Sequence, residues 1–167
     1  YFNDGTGTQN ERYPRLFAHD GKTIRDLALA DLDADGDPDL VTATATVHLW
    51  HNDGTGRFSL VISPLLQLVP ATAIEIADFN GDGSPDLALA TGQLDELHWN
   101  RGKGTFRSAT IGFPAIADPT TSIAAGDVDR DGRIDVVTGG PLGNRAYRND
   151  GPSGFTDVTA ATLLYQE

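Results

Sequence analysis

The sequence predicts an all-β chain built from a repeated unit of four short antiparallel strands. An acidic loop recurs as "DLDADGDPD" at 31–39, "DFNGDGSPD" at 78–86 and "DVDRDGRID" at 127–135. A second signature keeps the same beat, as "FNDGTG" at 2–7, "HNDGTGRF" at 51–58, "WNRGKGTF" at 99–106 and "RNDGPSGF" at 148–155. No segment shows a sustained helical period with caps. The acidic loops start 47 and 49 residues apart, and Asn3, Asn52, Asn100 and Asn149 are spaced by 49, 48 and 49. Two independent motifs on one period near 48 mark stacked supersecondary units.

The elements follow in order within each unit. "LALA" (27–30), "IEIA" (74–77) and "IAAG" (123–126) precede the acidic loops. "LVTATA" (40–45), "LALAT" (87–91) and "VVTG" (136–139) follow them. These stretches are apolar on both faces, as expected of strands buried between neighbouring sheets. Asn-Asp-Gly or Asn-Arg-Gly then suits a tight hairpin, because Asn and Gly tolerate positive φ. Phe58, Phe106 and Phe155 follow in the fourth strand, and Pro64, Pro70, Pro114 and Pro119 fall in the connectors. Four short antiparallel strands in 40–50 residues make a β-propeller blade.

Counting units gives a partial blade at 1–23 (outer hairpin and connector) and blades at 24–70, 71–119 and 120–167. That is about three and a half blades of a larger ring or assembly. Asn3 has no acidic loop ahead of it, so the phase of the repeat places Tyr1 in mid-blade. An open arc leaves apolar flanks, and the expectation is that further blades, from a longer chain or from other copies, cover them.

Among 167 residues there are no cysteines, 24 acids and 12 bases, giving a net charge of −12. That balance excludes a basic track for nucleic acid, and no apolar run is long enough to span a membrane. Half of the acids sit in the three loops. Two carboxylates about 5 Å apart repel by roughly 3 kcal/mol at an effective dielectric of about 20, so a cation is the natural partner.

Oxygen donors at positions 1, 3 and 5, with Gly at 6 for the turn, suit a hard cation, and calcium best. The expected ligands of the first loop are Asp31, Asp33, Asp35 and Asp39, with the carbonyl of Asp37. Those of the second are Asp78, Asn80, Asp82 and Asp86, with the carbonyl of Ser84. Those of the third are Asp127, Asp129, Asp131 and Asp135, with the carbonyl of Arg133. An EF-hand requires an acid at position 12, where this chain has Thr42, Leu89 and Thr138. Three calcium ions would halve the net charge to −6.

These loops, with "AYRNDGPSGFTDVTAATLL" (146–164), resemble the FG-GAP/VCBS repeats that form integrin α-subunit propellers and blades of many bacterial extracellular proteins. The literal Phe-Gly and Gly-Ala-Pro tags are absent, so the likeness is closer to the VCBS branch. The resemblance implies a calcium-stabilised propeller, extracellular or at the cell surface, used for adhesion, ligand display or scaffolding through protein or glycan partners. Asn80 in loop two and Arg130 and Arg133 in loop three depart from the family pattern.

No nucleophile–base constellation repeats or clusters, so no catalytic residue is expected. His19, His48, His51 and His98 are expected on the surface or in packing. A second reading is a lectin, with Trp50, Trp99, His51, His98 and Tyr147 near the hairpins as a sugar platform. It requires the two indoles to face one side. The chain also fits a self-assembling subunit of an extracellular filament, or a part of a polysaccharide-acting enzyme.

Overall fold

The structure is a computed structural model that describes residues 23–66, 69–109, 112–117 and 119–160, and the backbone alone of 2–3, 9–10 and 161–162. His19 lies outside the described residues. The sequence alternates β-formers with Gly- and Asp-rich turns, and the chain folds as antiparallel sheets that follow that rhythm.

A short pair, β1 (Phe2–Asn3) and β2 (Gln9–Asn10), comes first. The first full blade is β3 (Asp26–Ala30), β4 (Asp39–Ala43), β5 (Val47–Asn52) and β6 (Phe58–Val61). The second is β7 (Ala71–Ala77), β8 (Asp86–Thr91), β9 (Glu96–Asn100) and β10 (Phe106–Ser108). The third is β11 (Ser122–Gly126), β12 (Asp135–Gly140), β13 (Gly143–Asn149) and β14 (Phe155–Asp157), followed by one helical turn, α1 (Thr159–Thr162). Each sheet is an antiparallel meander in chain order. The first strands lie side by side, β3 against β7 and β7 against β11, the radial arrangement of propeller blades.

The core lies between blades. One cluster joins Leu32, Val41, Val47 and Leu49 of the first blade to Ile74, Leu87 and Leu89 of the second. Another joins Phe79, Ala88 and Leu97 of the second to Val136, Tyr147 and Phe155 of the third. The second strands are buried along their whole length in blades one and two. The expectation of burial on both faces fails for the outward sides of the terminal blades. Leu27 (57%), Leu29 (59%) and Ile62 (73%) are exposed on the first blade, and Val128 (60%) and Leu142 (72%) on the third. On the third blade Val128 and Val137 border a recess with Ala146 and Val158.

The hairpin is longer than a tight two-residue turn. β5 ends at Asn52 and β6 resumes at Phe58, and the Asp53 N–H donates to the Arg57 carbonyl at 3.1 Å. The Asn side chain organises this loop. Asn52, Asn100 and Asn149 each accept from the N–H two residues on, at Gly54, Gly102 and Gly151. Each also donates to the carbonyl that precedes the buried loop Asp, at Pro38, Pro85 and Ile134. Asn100 and Asn149 reach further still. Their Nδ2 groups donate at 2.8 Å to the Leu32 and Phe79 carbonyls of the preceding blade.

One position varies between blades with a visible cost. Trp50 donates to Thr42 Oγ1 at 3.2 Å, and Tyr147 bonds Thr138. In the second blade the equivalent pair is His98 and Leu89. His98 is fully buried with Nε2 2.9 Å from Glu96 Oε2, and its Nδ1 has no partner. Leu89 offers the imidazole no acceptor.

Two substitutions test this architecture. Asn149→Ala removes two donations and one acceptance at a 1% exposed site, and at about 1 kcal/mol per net bond the expected loss is about 2–4 kcal/mol by urea denaturation. At Gly140 an added Cβ would lie 2.1 Å from the Pro119 carbonyl oxygen. Gly140→Ala is therefore expected to lower the melting temperature clearly more than Gly92→Ala, whose site is open.

Candidate metal centres in the acidic loops

Each acidic loop links the first strand of a blade to the second: β3 to β4, β7 to β8 and β11 to β12. The chain turns sharply because positions 4 and 6 both take positive φ. Position 6 is Gly36, Gly83 and Gly132, at 96°, 87° and 88°. Position 4 is Ala34, Gly81 and Arg130, at 64°, 76° and 66°. The second left-handed position was not anticipated from the sequence, although Gly81 is its signal in loop two.

These turns aim backbone N–H groups at the side chains. The position-1 carboxylates accept from the N–H groups of positions 5 and 6: Asp31 from Asp35 and Gly36, Asp78 from Asp82 and Gly83, Asp127 from Asp131 and Gly132. Position 3, as Asp33, Asn80 or Asp129, accepts from the position-5 N–H. Position 5, as Asp35, Asp82 or Asp131, accepts from the N–H of Asp37, Ser84 or Arg133. Each carboxylate oxygen has two acceptor directions, so this scaffold leaves capacity for a cation.

Position 9 is the buried member. Asp39, Asp86 and Asp135 are 2%, 0% and 4% exposed. One oxygen of each accepts from the position-2 N–H, of Leu32, Phe79 or Val128. The other accepts from the hairpin Asn N–H, of Asn52, Asn100 or Asn149. This residue ties loop and hairpin together, a role beyond the ligand function expected from spacing.

The donor sets differ between loops. Oxygens of Asp31, Asp33 and Asp39 lie within 4.8 Å of one another, as do those of Asp127, Asp129 and Asp135. Among the described residues no such three-acid group forms in loop two, where Asn80 supplies an amide oxygen instead. No described residue donates to the carbonyls of Asp37, Ser84 or Arg133, so these stay available as oxygen donors. The Arg133 side chain does something else: its guanidinium pairs with Asp131 and its Nε donates to the Asn149 carbonyl at 2.6 Å. Loop three therefore carries an internal counter-charge.

The residue before each hairpin Asn faces the loop, and its type changes from blade to blade. His51 Nδ1 lies 3.0 Å from Asp33 and 3.3 Å from Asp39. His51, expected on the surface or in packing, is thus a neighbour of the acids, which the sequence did not show because it lies outside the loop. The second blade has Trp99, which lines one recess with Asn80 and Asp82. The third has Arg148, paired with Asp150. Trp50 and Trp99 do not share a side. Trp50 occupies the position equivalent to His98 and Trp99 that of His51, so the indoles project from opposite faces of their sheets.

Electrostatics follow from the crowding. Loss of solvent, then the charges of Asp39 and Asp35, raise the Asp33 pKa, with His51 opposing. Burial pushes Asp86 up to about 6 against the backbone N–H groups that it accepts from, Asn100 and Phe79 foremost.

The repeat and its loop geometry match a known sequence family. The model of the FG-GAP-like repeat matches residues 40–89 and 78–138. The chain belongs to the FG-GAP-like repeat family. No curated protein matches it at a significant level. Its blades are similar in fold to an Agrocybe aegerita lectin whose structure concerns recognition of non-reducing terminal N-acetylglucosamine, with TM-score 0.54 and 24% identity over 77% of this chain and 36% of the lectin. A V. cholerae biofilm matrix protein, Bap1, matches at TM-score 0.44 and 24% identity over 78% of this chain and 19% of Bap1. This FG-GAP-like chain thus spans about a third of the lectin's length. None of the helices among its described residues is long and apolar enough to cross a membrane.

The raised Asp86 pKa has a testable sign. The native value lies above the ordinary aspartate value of 3.8, so the ionised form is disfavoured in the fold. That penalty is present at neutral pH, falls as pH drops through about 6, and is gone below about 4. In metal-free buffer, resistance to urea is expected to rise from about pH 7 to about pH 5, and Asp86→Asn to flatten the rise. An unchanged slope in the variant would place its source elsewhere.

Proposed function

We propose that this FG-GAP-like chain is a non-enzymatic, calcium-binding propeller segment of an extracellular protein, serving adhesion, ligand display or scaffolding. The observation that carries the reading is the loop scaffold repeated in three blades. Backbone N–H groups preorganise the same oxygen donors each time, and like-charged side chains converge within each loop. The donors at positions 1, 3, 5 and 9 and the free position-7 carbonyl make an oxygen-rich set that suits calcium. The ligands would be Asp31, Asp33, Asp35, Asp37 (carbonyl) and Asp39; Asp78, Asn80, Asp82, Ser84 (carbonyl) and Asp86; and Asp127, Asp129, Asp131, Arg133 (carbonyl) and Asp135. Calcium abundance outside cells fills even weak sites, which supports the location.

Units at 1–23, 24–70, 71–119 and 120–167 are the repeat boundaries of this reading. Its partners are further blades and a protein or glycan ligand. The exposed Val128 side chain and the Val128 carbonyl, to which no described residue donates, offer a next blade the contacts that Phe79 gives the third blade.

Calcium is expected to raise the melting temperature and a chelator to lower it. The withdrawn stability is about 2.7 kcal/mol per site where calcium stood at 100 times its Kd. Asp33→Ala and Asp127→Ala are each expected to remove one site in isothermal titration. A melting temperature indifferent to calcium and chelator would refute the reading.

A further inference from the structure

A recess of about 400 Å³ opens at the hairpin end of the second blade, lined by Asn80, Asp82, Trp99, Asn100, Arg101 and Arg107. Trp99 stands directly opposite Arg107 in the β9–β10 ladder, so indole and guanidinium share one face of the sheet. Part of the indole packs against the apolar cluster between blades two and three, which holds the ring as a fixed wall. Arg101 and Arg107 are exposed.

Three of these residues depart from the repeat, and all three departures meet here. Where Trp99 stands, the other blades have His51 and Arg148. Where Arg101 stands they have Asp53 and Asp150, and where Arg107 stands they have Ser59 and Thr156. The blades share one fold, so folding does not require this combination. The two guanidinium groups are also not engaged by carboxylates of the described residues. Arg133, Arg145 and Arg148 each pair with an aspartate. Among the described residues no carboxylate lies within ion-pair distance of Arg101 or Arg107, in a chain with twice as many acids as bases.

We propose that this recess binds an anionic saccharide. The pyranose ring lies on the Trp99 indole, whose flat apolar face matches the C–H face of a sugar. Its carboxylate or sulfate is held by the guanidinium groups of Arg101 and Arg107, which match planar oxyanions. Ring hydroxyls donate to Asp82 and accept from the Nδ2 group of Asn80, whose oxygen the loop already uses; these are the few polar groups that fix orientation in such a site. A nucleic acid is disfavoured, because two guanidinium groups on a chain of net charge −12 make no track for a phosphate backbone. The proposal goes beyond ion binding: Trp99, Arg101 and Arg107 are not loop ligands, although Asn80 and Asp82 belong to the loop.

The chain has two tryptophans, so Trp50→Phe leaves Trp99 as the only indole reporter. Trigalacturonate added to this variant at one fixed calcium concentration is expected to change Trp99 fluorescence saturably. Neutral maltotriose is expected to bind at least about tenfold more weakly, the factor that one lost charge-assisted hydrogen bond produces. Arg101→Gln and Arg107→Gln, both at exposed positions, are each expected to weaken trigalacturonate by at least about tenfold with the melting temperature unchanged. A sulfated trisaccharide run in parallel identifies the anion: preference for it over trigalacturonate assigns sulfate and keeps the proposal. No saturable response to either anion, an equal response to maltotriose, or unchanged affinity in the two Arg variants overturns it. Should Trp50→Phe fail to fold, calorimetric titration of the unsubstituted chain with the same probes gives the same decision.

Discussion

One buried carboxylate per blade carries the arrangement on which the rest depends. Asp39, Asp86 and Asp135 each have both oxygens occupied by backbone N–H groups, one from the acidic loop and one from the hairpin Asn. Burying a charge this deeply is costly unless it is fully hydrogen-bonded. Two N–H donors from segments 7 residues before and 13 or 14 residues after meet that requirement. The consequence is that the start of the loop and the start of the hairpin are held together at the same end of every blade. The loop acids, the residue before the hairpin Asn and the junction with the previous blade then come together without further design.

The two sequence signatures share a period for the same reason. The hairpin Asn completes its hydrogen bonds on its own blade and, in blades two and three, on the previous blade's loop carbonyl. A change in spacing between loop and hairpin would break both sets. Variation falls on side chains that border this knot without supplying its backbone bonds, and His51, Trp99 and Arg148 show how far it extends. The backbone specifies a shared frame, and each blade's outward chemistry is free to differ.

The period, the four-strand unit, the acidic loops and the position of each aromatic in the fourth strand were legible in the sequence, because they are local and repeated. The left-handed position 4 was obscured by Ala34 and Arg130, which are poor reporters of positive φ. The double role of the position-9 aspartate was not legible, since ligand spacing and a structural hydrogen bond leave the same residue in place. Contacts across blades were also hidden. The bond from Asn149 to Phe79 joins residues 70 apart, and a repeat period states that units recur, not which atoms touch between them. The sequence named His51 and Trp99 as residues near the hairpins, but not that they stand beside the loop acids, because that relation is one of sheet register.

The asymmetry between bonding inside and between blades has a mechanical meaning. Within a blade, four strands are laced by continuous ladders of backbone hydrogen bonds. Across each junction polar attachment is sparser: Asn100 and Gly104 to Leu32, Asp26 to Ile74 and Arg25 to Ala71 between the first two blades; Asn149 to Phe79, Thr72 to Thr120, and Thr120 to Thr91 and Asp95 between the next. Apolar packing supplies the remainder and resists shear weakly once its surfaces slide. Under a pull directed along the arc, strain concentrates at the seams while the sheets stay intact. The chain extends as a string of rigid plates, and each seam can re-form when the load is released because the surfaces that parted are unchanged.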